Sequence, residues 1–130
     1  MTTKSRFLRL NSLVSYVPSE DDGDEIYITY KGEKIAPTGS TYYKMPHGEL
    51  ALNIEIPLEQ SEEWAELELW DHDVLSRNDL LGSFKLKVDE VDDGFSAELI
   101  QKEPRSRYVL NWGVIERSGA KKIPSSRTKG

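Results

Sequence analysis

The stretch DHDVLSRND, residues 71 to 79, concentrates the groups most able to do chemistry. Three carboxylates, Asp71, Asp73 and Asp79, fall within nine residues, with Ser76 and Asn78 between them and the apolar pair Val74 and Leu75 in the middle. Two unit charges about 4 Å apart repel by roughly 1 kcal/mol in bulk water and roughly 4 kcal/mol at an effective dielectric near 20. A loop that gathers three of them needs a cation or wide separation in solvent. Hard oxygen donors at variable angles suit calcium, which takes about six to eight of them. Zinc would want His or Cys. The helix–loop–helix calcium motif does not fit, because it requires an acid or Asn at Leu75, Gly at Ser76 and flanking helices.

The chain as a whole narrows the options. Its 130 residues suit one domain with a hydrophobic core. With no cysteine, disulfides, thiolate metal sites and cysteine nucleophiles are excluded together. No apolar run approaches the about 18 residues needed to span a bilayer. Arg6, Arg9 and Asn11 interrupt the N-terminal apolar stretch, which argues against a secretory leader and for a cytoplasmic protein, peripheral at a membrane if it binds one. A net charge of −6 argues against nucleic acid as a partner. The charge is unevenly spread. Glu20, Asp21, Asp22, Asp24 and Glu25 form a second acidic cluster, and Asp89, Glu90, Asp92 and Asp93 a third. Residues 118–130, in contrast, carry Lys121, Lys122, Arg127 and Lys129 without an acid, and read as a basic arm, flexible or ordered by a partner. Residues 1–5 read as a flexible lead-in.

The elements that must hold these groups alternate with period two. Strands are predicted near Arg6–Leu13 and at Ile26–Tyr30, Leu50–Ile56, Ala65–Trp70, Ser83–Val88 and Tyr108–Arg117. Turn signals separate them at 18–23, Lys31-Gly32, 37–39, 46–48, Asn78-Asp79 and Asp93-Gly94. Only Leu58–Trp64 and Ser96–Lys102 offer candidates for short helices. Seven to eight strands at such spacing describe an all-β antiparallel sandwich over residues 6–117. Residues 71–79 then form a loop at one end, between two strands, where such scaffolds carry function.

Placed in that frame, LELWDHDVLSRNDLLGSFKLKV resembles the third calcium-binding loop of C2 domains, the synaptotagmin-like calcium- and phospholipid-binding sandwiches. Asp71-His-Asp73, then Asp79, then Leu80-Leu81-Gly82 follow that family's order, and Pro46 and Glu49 resemble its Pro–Glu before the fourth strand. The first calcium loop departs from the pattern: Ile26 stands where a Pro is usual and Glu25 where an Asp is usual. The lysine-rich fourth strand is missing, since Leu50–Ile56 holds no Lys or Arg. The resemblance implies a non-enzymatic module in which Asp71, Asp73 and Asp79, with Asp22, Asp24, Asp21 and Ser76, hold Ca2+. It also implies docking to an anionic phospholipid membrane or a protein partner, with Val74 and Leu75 at the loop tip entering the bilayer and Arg77 meeting phosphate. The competing expectation is a calcium-independent adaptor subunit of a multi-protein assembly, with the basic tail as a contact. A sugar-binding sandwich is the third.

The plainer readings of other residues are structural. By strand alternation His72 faces away from Asp71 and Asp73 and is expected at the surface. Trp64, Trp70 and Trp112 are expected in the core or at its rim. No pair of acids is placed across a sugar cleft, so glycoside hydrolysis has no support.

Overall fold

Period-two patterning becomes ten strands in the computed structural model, which describes residues 4–17, 24–45, 48–102 and 106–118. They are β1 (Lys4–Val17), β2 (Glu25–Tyr30), β3 (Glu33–Ala36), β4 (Tyr43–Lys44), β5 (Gly48–Leu58), β6 (Trp64–Asp71), β7 (Asp79–Lys87), β8 (Asp92–Glu98), β9 (Ile100–Gln101) and β10 (Arg107–Ser118). One sheet runs β5-β1-β10-β8 and the other β3-β2-β6-β7-β9, with β4 also paired to β2. Every pairing among the described residues is antiparallel.

The two sheets face each other through the apolar half of each alternation. Leu8, Leu10 and Leu13 of β1 and Tyr108, Leu110, Trp112 and Val114 of β10 meet Ile26, Ile28, Leu67, Leu69, Phe84 and Leu86 from the other sheet. The inward set of β1 changes parity between Leu10 and Leu13. A bulge between Leu10 and Ser12 absorbs the extra residue, and opposite it Asn53 of β5 adopts a left-handed backbone with φ of 53°. Asn is among the residues that tolerate that conformation. Without the bulge, the second half of β1 would present its polar side to the core. On the outer face, Ser12, Asn111 and Ser96 form a hydrogen-bonded row with Glu49 that crosses all four strands.

Neither helix candidate forms. Residues 59–63 make a turn in which the Glu62 carboxylate accepts the Glu59 amide at 2.7 Å, and β6 already begins at Trp64. Residues 96–102 divide between β8 and β9, because β10 and β7 each offer a free edge to them. Gly82 permits the second of these pairings. A Cβ there would stand 2.3 Å from the Ile100 carbonyl oxygen.

The sheets are stitched at the end where β1 begins and β10 stops. The Arg6 guanidinium donates to the Val88 carbonyl and, from its other terminal nitrogen, to the carbonyls of Glu59 at 2.8 Å, Gln60 at 3.1 Å and Glu62 at 3.0 Å. A planar fork of donors is what this spread of acceptors needs. Replacing Arg6 with Met should lower stability by about 1.5–3 kcal/mol, the usual worth of bonds from a charged donor, and Arg6→Lys should recover less than half of that. Urea unfolding reads both, and an Arg6→Met variant as stable as the parent would remove the clamp from the account.

Candidate functional site

At the opposite end lie the start of β2, the end of β6, the start of β7 and the start of β10, together with the 72–78 loop. Strand β6 runs one residue further than the sequence indicates, and β7 begins four residues earlier, at Asp79. This changes the setting of two carboxylates. Asp71 follows Ala65, Leu67 and Leu69 on the inward face and is buried, with 3 % of its surface exposed. Its Oδ1 accepts the Glu25 amide at 2.9 Å, and the His72 amide returns a bond to the Glu25 carbonyl at 2.7 Å. Asp79 sits opposite Asp71 across the β6–β7 ladder and is exposed.

Asp24 is fully buried as well. Its carboxylate accepts a hydrogen bond from the Tyr108 hydroxyl, which β10 sends through the core from the other sheet. Burial first, and then the bond to Asp24, push the Tyr108 hydroxyl well above the usual phenol range; the charge of Asp71 adds to the effect. A side-chain hydrogen bond with Ser15 on the same hydroxyl offsets part of that rise.

The loop is built on Asp73. Its Oδ1 accepts the Leu75 amide at 2.9 Å and its Oδ2 the Ser76 hydroxyl at 2.7 Å. These donors hold the Asp73 carboxyl below the usual carboxylate value, the Leu75 amide first and Ser76 second. Asn78 closes the loop from the other side: its Oδ1 accepts the Asp73 amide at 2.9 Å, while its Nδ2 donates to the Tyr27 hydroxyl at 2.9 Å. Tyr27 in turn stacks on Trp70, with ring centroids 6.2 Å apart and 8° between planes. The tip is thereby braced against the sheet. At that tip Val74 is 81 % and Leu75 93 % exposed, and Arg77 beside them is exposed too.

His72 is half-buried, and its ring stacks on Tyr42 at 5.2 Å; the Tyr42 hydroxyl bonds to Glu25. It is thus tied into the wall of this end instead of standing free at the surface. Trp112 lies in the core as expected and Trp70 at its rim, but Trp64 does neither: it is 59 % exposed at the far end of β6. The expected ligands Asp21 and Asp22 and the tail residues Lys121, Lys122, Arg127 and Lys129 lie outside the described residues. Of the expected set, the structure brings Asp24 and Asp71 together at the base of the loops and Asp73 and Ser76 together at the tip. Sequence reasoning missed Tyr108, Asn78 and Tyr27. Asn78 carried the one available signal, a carboxamide able both to donate and to accept within a loop of acceptors.

No family model and no curated protein matches this sequence. Solved structures do. One, a C2 domain of plant extended synaptotagmin 1 designated its A domain, is similar over 92 % of this chain and 98 % of that one, with a TM-score of 0.58 and 15 % identity. A second structure described as a C2 domain is similar over 86 % of this chain and 97 % of that one, with a TM-score of 0.54 and 18 % identity. The fold is that of a C2 domain.

The donors at this end suit calcium in kind. Carboxylates and a serine hydroxyl are hard oxygen donors, the chain has no cysteine, and the His72 imidazole is stacked on Tyr42. Among the described residues, however, no three acids or histidines converge as a metal site would require. A complete C2 cage in this chain has to draw on 18–23, where Asp21 and Asp22 stand.

Tyr108→Phe removes the hydroxyl while keeping the ring, and takes one donor from a buried carboxylate. The expected loss is about 1–3 kcal/mol. The pH dependence has a definite sign. A tyrosine whose folded pKa is raised contributes fully below its unfolded value, about 10. The contribution falls as pH rises beyond that, because the unfolded chain releases a proton that the folded one keeps. Thermal melting from neutral to alkaline pH should show a shallower decline for Tyr108→Phe than for the parent, and parallel curves would contradict the buried contact.

Proposed function

We propose that this chain is a non-enzymatic C2-fold module that docks to anionic phospholipid membrane through the 72–78 loop, assisted by calcium at the acidic end. The observation that carries the reading is the exposed pair Val74 and Leu75, presented on a turn whose every anchor is internal: Asp73 to Leu75 and Ser76, and Asn78 to Tyr27. Large apolar side chains held out on a braced tip have little to do in water. Entry into a bilayer removes their apolar surface at no further ordering cost, and a pre-formed tip binds with less entropy loss than a floppy one.

The magnitudes show why the tip does not act alone. Burying the two side chains is worth at most about 3–6 kcal/mol, which corresponds to millimolar to tens-of-micromolar affinity. Arg77 adds about 1 kcal/mol near an anionic surface. Against this, Asp73 and Asp79 and the cluster at 20–25 repel headgroup phosphates. Asp71, Asp73 and Asp79 with Asp21, Asp22 and Asp24, and Ser76 in support, would hold calcium, which would supply the missing positive charge. The chain's own part is then to brace the tip, to orient Arg77 beside it, and to keep the base of the loops dry through Asp24, Tyr108 and the Asp71–Glu25 bond.

Co-sedimentation with phosphatidylserine-containing vesicles tests this. Binding should be strong with calcium and weak with chelator, and Val74→Ser/Leu75→Ser should reduce partitioning roughly tenfold or more, since each 1.4 kcal/mol is a factor of about ten. Undiminished binding of that double variant would overturn tip insertion. Equal binding with and without calcium would remove the ion and leave a calcium-independent docking module or adaptor.

A further inference from the structure

The end of the sandwich remote from the tip holds a surface of opposite character. Trp64 and Asp71 stand at the two ends of β6, about 23 Å apart at the usual rise of a strand. The exposed Trp64 indole rises between two hollows. The larger, about 530 Å³, is lined by Tyr30, Lys31, Glu62, Trp64, Glu66 and Glu68. Three carboxylates and two aromatic rings thus surround one groove; Lys31 lines it and pairs with Glu62 at 3.5 Å, the Tyr30 hydroxyl donates to the same carboxylate, and Glu66 and Glu68 complete its acidic wall.

Both rings already attract ammonium groups. Lys87 Nζ lies 5.9 Å from the Trp64 ring centroid, and Lys31 Nζ lies 5.2 Å from that of Tyr30. Ring faces flanked by carboxylates are the chemistry that recognises Lys and Arg side chains. Glu66 stands outward on β6 between Trp64 and Glu68. The groove is therefore shaped and charged for a basic segment with some apolar surface.

This chain contains such a segment, and it starts at the same end of the sandwich, on the other sheet. Strand β10 ends at Ser118, opposite Lys4. Two residues along from Lys4, Arg6 is bonded to the 59–62 turn that carries Glu62 and leads into Trp64. The following residues, 119–130, hold Lys121, Lys122, Arg127 and Lys129, no acid, and Ile123-Pro124 between the two basic groups. Twelve residues reach up to about 40 Å when extended, well beyond what the groove requires.

We propose that residues 119–130 dock in the groove beside Trp64, as a basic strap held by Glu62, Glu66 and Glu68 and by the Trp64 and Tyr30 rings. The contact is electrostatic and half-exposed, so it weakens as salt screens it. It leaves the membrane-facing tip at the other end free.

The chain has no cysteine, so Ser125→Cys gives one attachment point for a nitroxide spin label in the intact 130-residue chain. At low salt the label should broaden the amide signals of Gly32 and Glu66 and the indole signal of Trp64, while signals of the 72–78 loop stay sharp. Glu66→Lys, or Lys121→Glu/Lys122→Glu, should restore the groove signals, as should high salt; the unchanged remainder of the spectrum reports an intact fold. Absence of broadening at the groove at low salt would overturn the proposal. So would broadening that survives both sets of charge reversals. Broadening that appears only when labelled protein is mixed with a separate isotope-enriched copy would also overturn it, and would assign the groove to a neighbouring molecule.

Discussion

The hydroxyl of Tyr108 reaching the carboxylate of Asp24 is the contact on which the working end depends. It joins the two sheets, since Tyr108 belongs to β10 and Asp24 leads directly into β2. It also makes a buried carboxylate tolerable, because a charge taken out of water is costly unless donors replace the lost solvent. Asp71 meets the same demand through the Glu25 amide, which fixes the end of β6 against the start of β2. With those two carboxylates held, the chain between Asp71 and Asp79 has fixed endpoints, and the turn organised by Asp73 and Asn78 can project Val74 and Leu75 away from the protein. Each step is a polar group satisfying another, and together they set where an apolar tip stands.

The two ends of the molecule differ in character. One end carries buried and half-buried carboxylates, a braced loop and exposed aliphatic side chains. The other carries the Arg6 clamp, an exposed indole and a carboxylate-lined groove. Between them the inward leucines, isoleucines and aromatics form one continuous core. Such a core is stiff and close-packed, so the two ends can serve different contacts while keeping a fixed separation.

Much of this was legible in the sequence, and the gaps have physical causes. Alternation located six strands because a half-buried strand has no other way to sort its side chains. The loop at 71–79 was legible from its spacing and its flanks. Burial of Asp71 was not, because one extra residue of β6 decides whether that carboxylate points to the core or to solvent, and local pattern does not fix where a ladder stops. The β1 bulge is of the same kind: Leu10 and Leu13 break strict alternation, and only pairing with β5 and β10 reveals that both face inward. Residues 96–102 looked weakly helical because their strands are short and sit at edges, so the neighbour, not the segment, determines the outcome. Tyr108 lies 84 residues from Asp24, and no sequence pattern records a meeting at that distance.

The most direct test of the account is whether the tip, and not some other face, enters the membrane. Leu75→Cys and Glu63→Cys can each carry an environment-sensitive fluorophore at the only thiol in the chain, one at the tip and one at the far end. With anionic vesicles and calcium, the label at 75 should shift to the blue and gain intensity as it leaves water, while the label at 63 stays unchanged. A shift at 63 with none at 75, or no shift at either while the protein sediments with the vesicles, would contradict docking through the 72–78 loop.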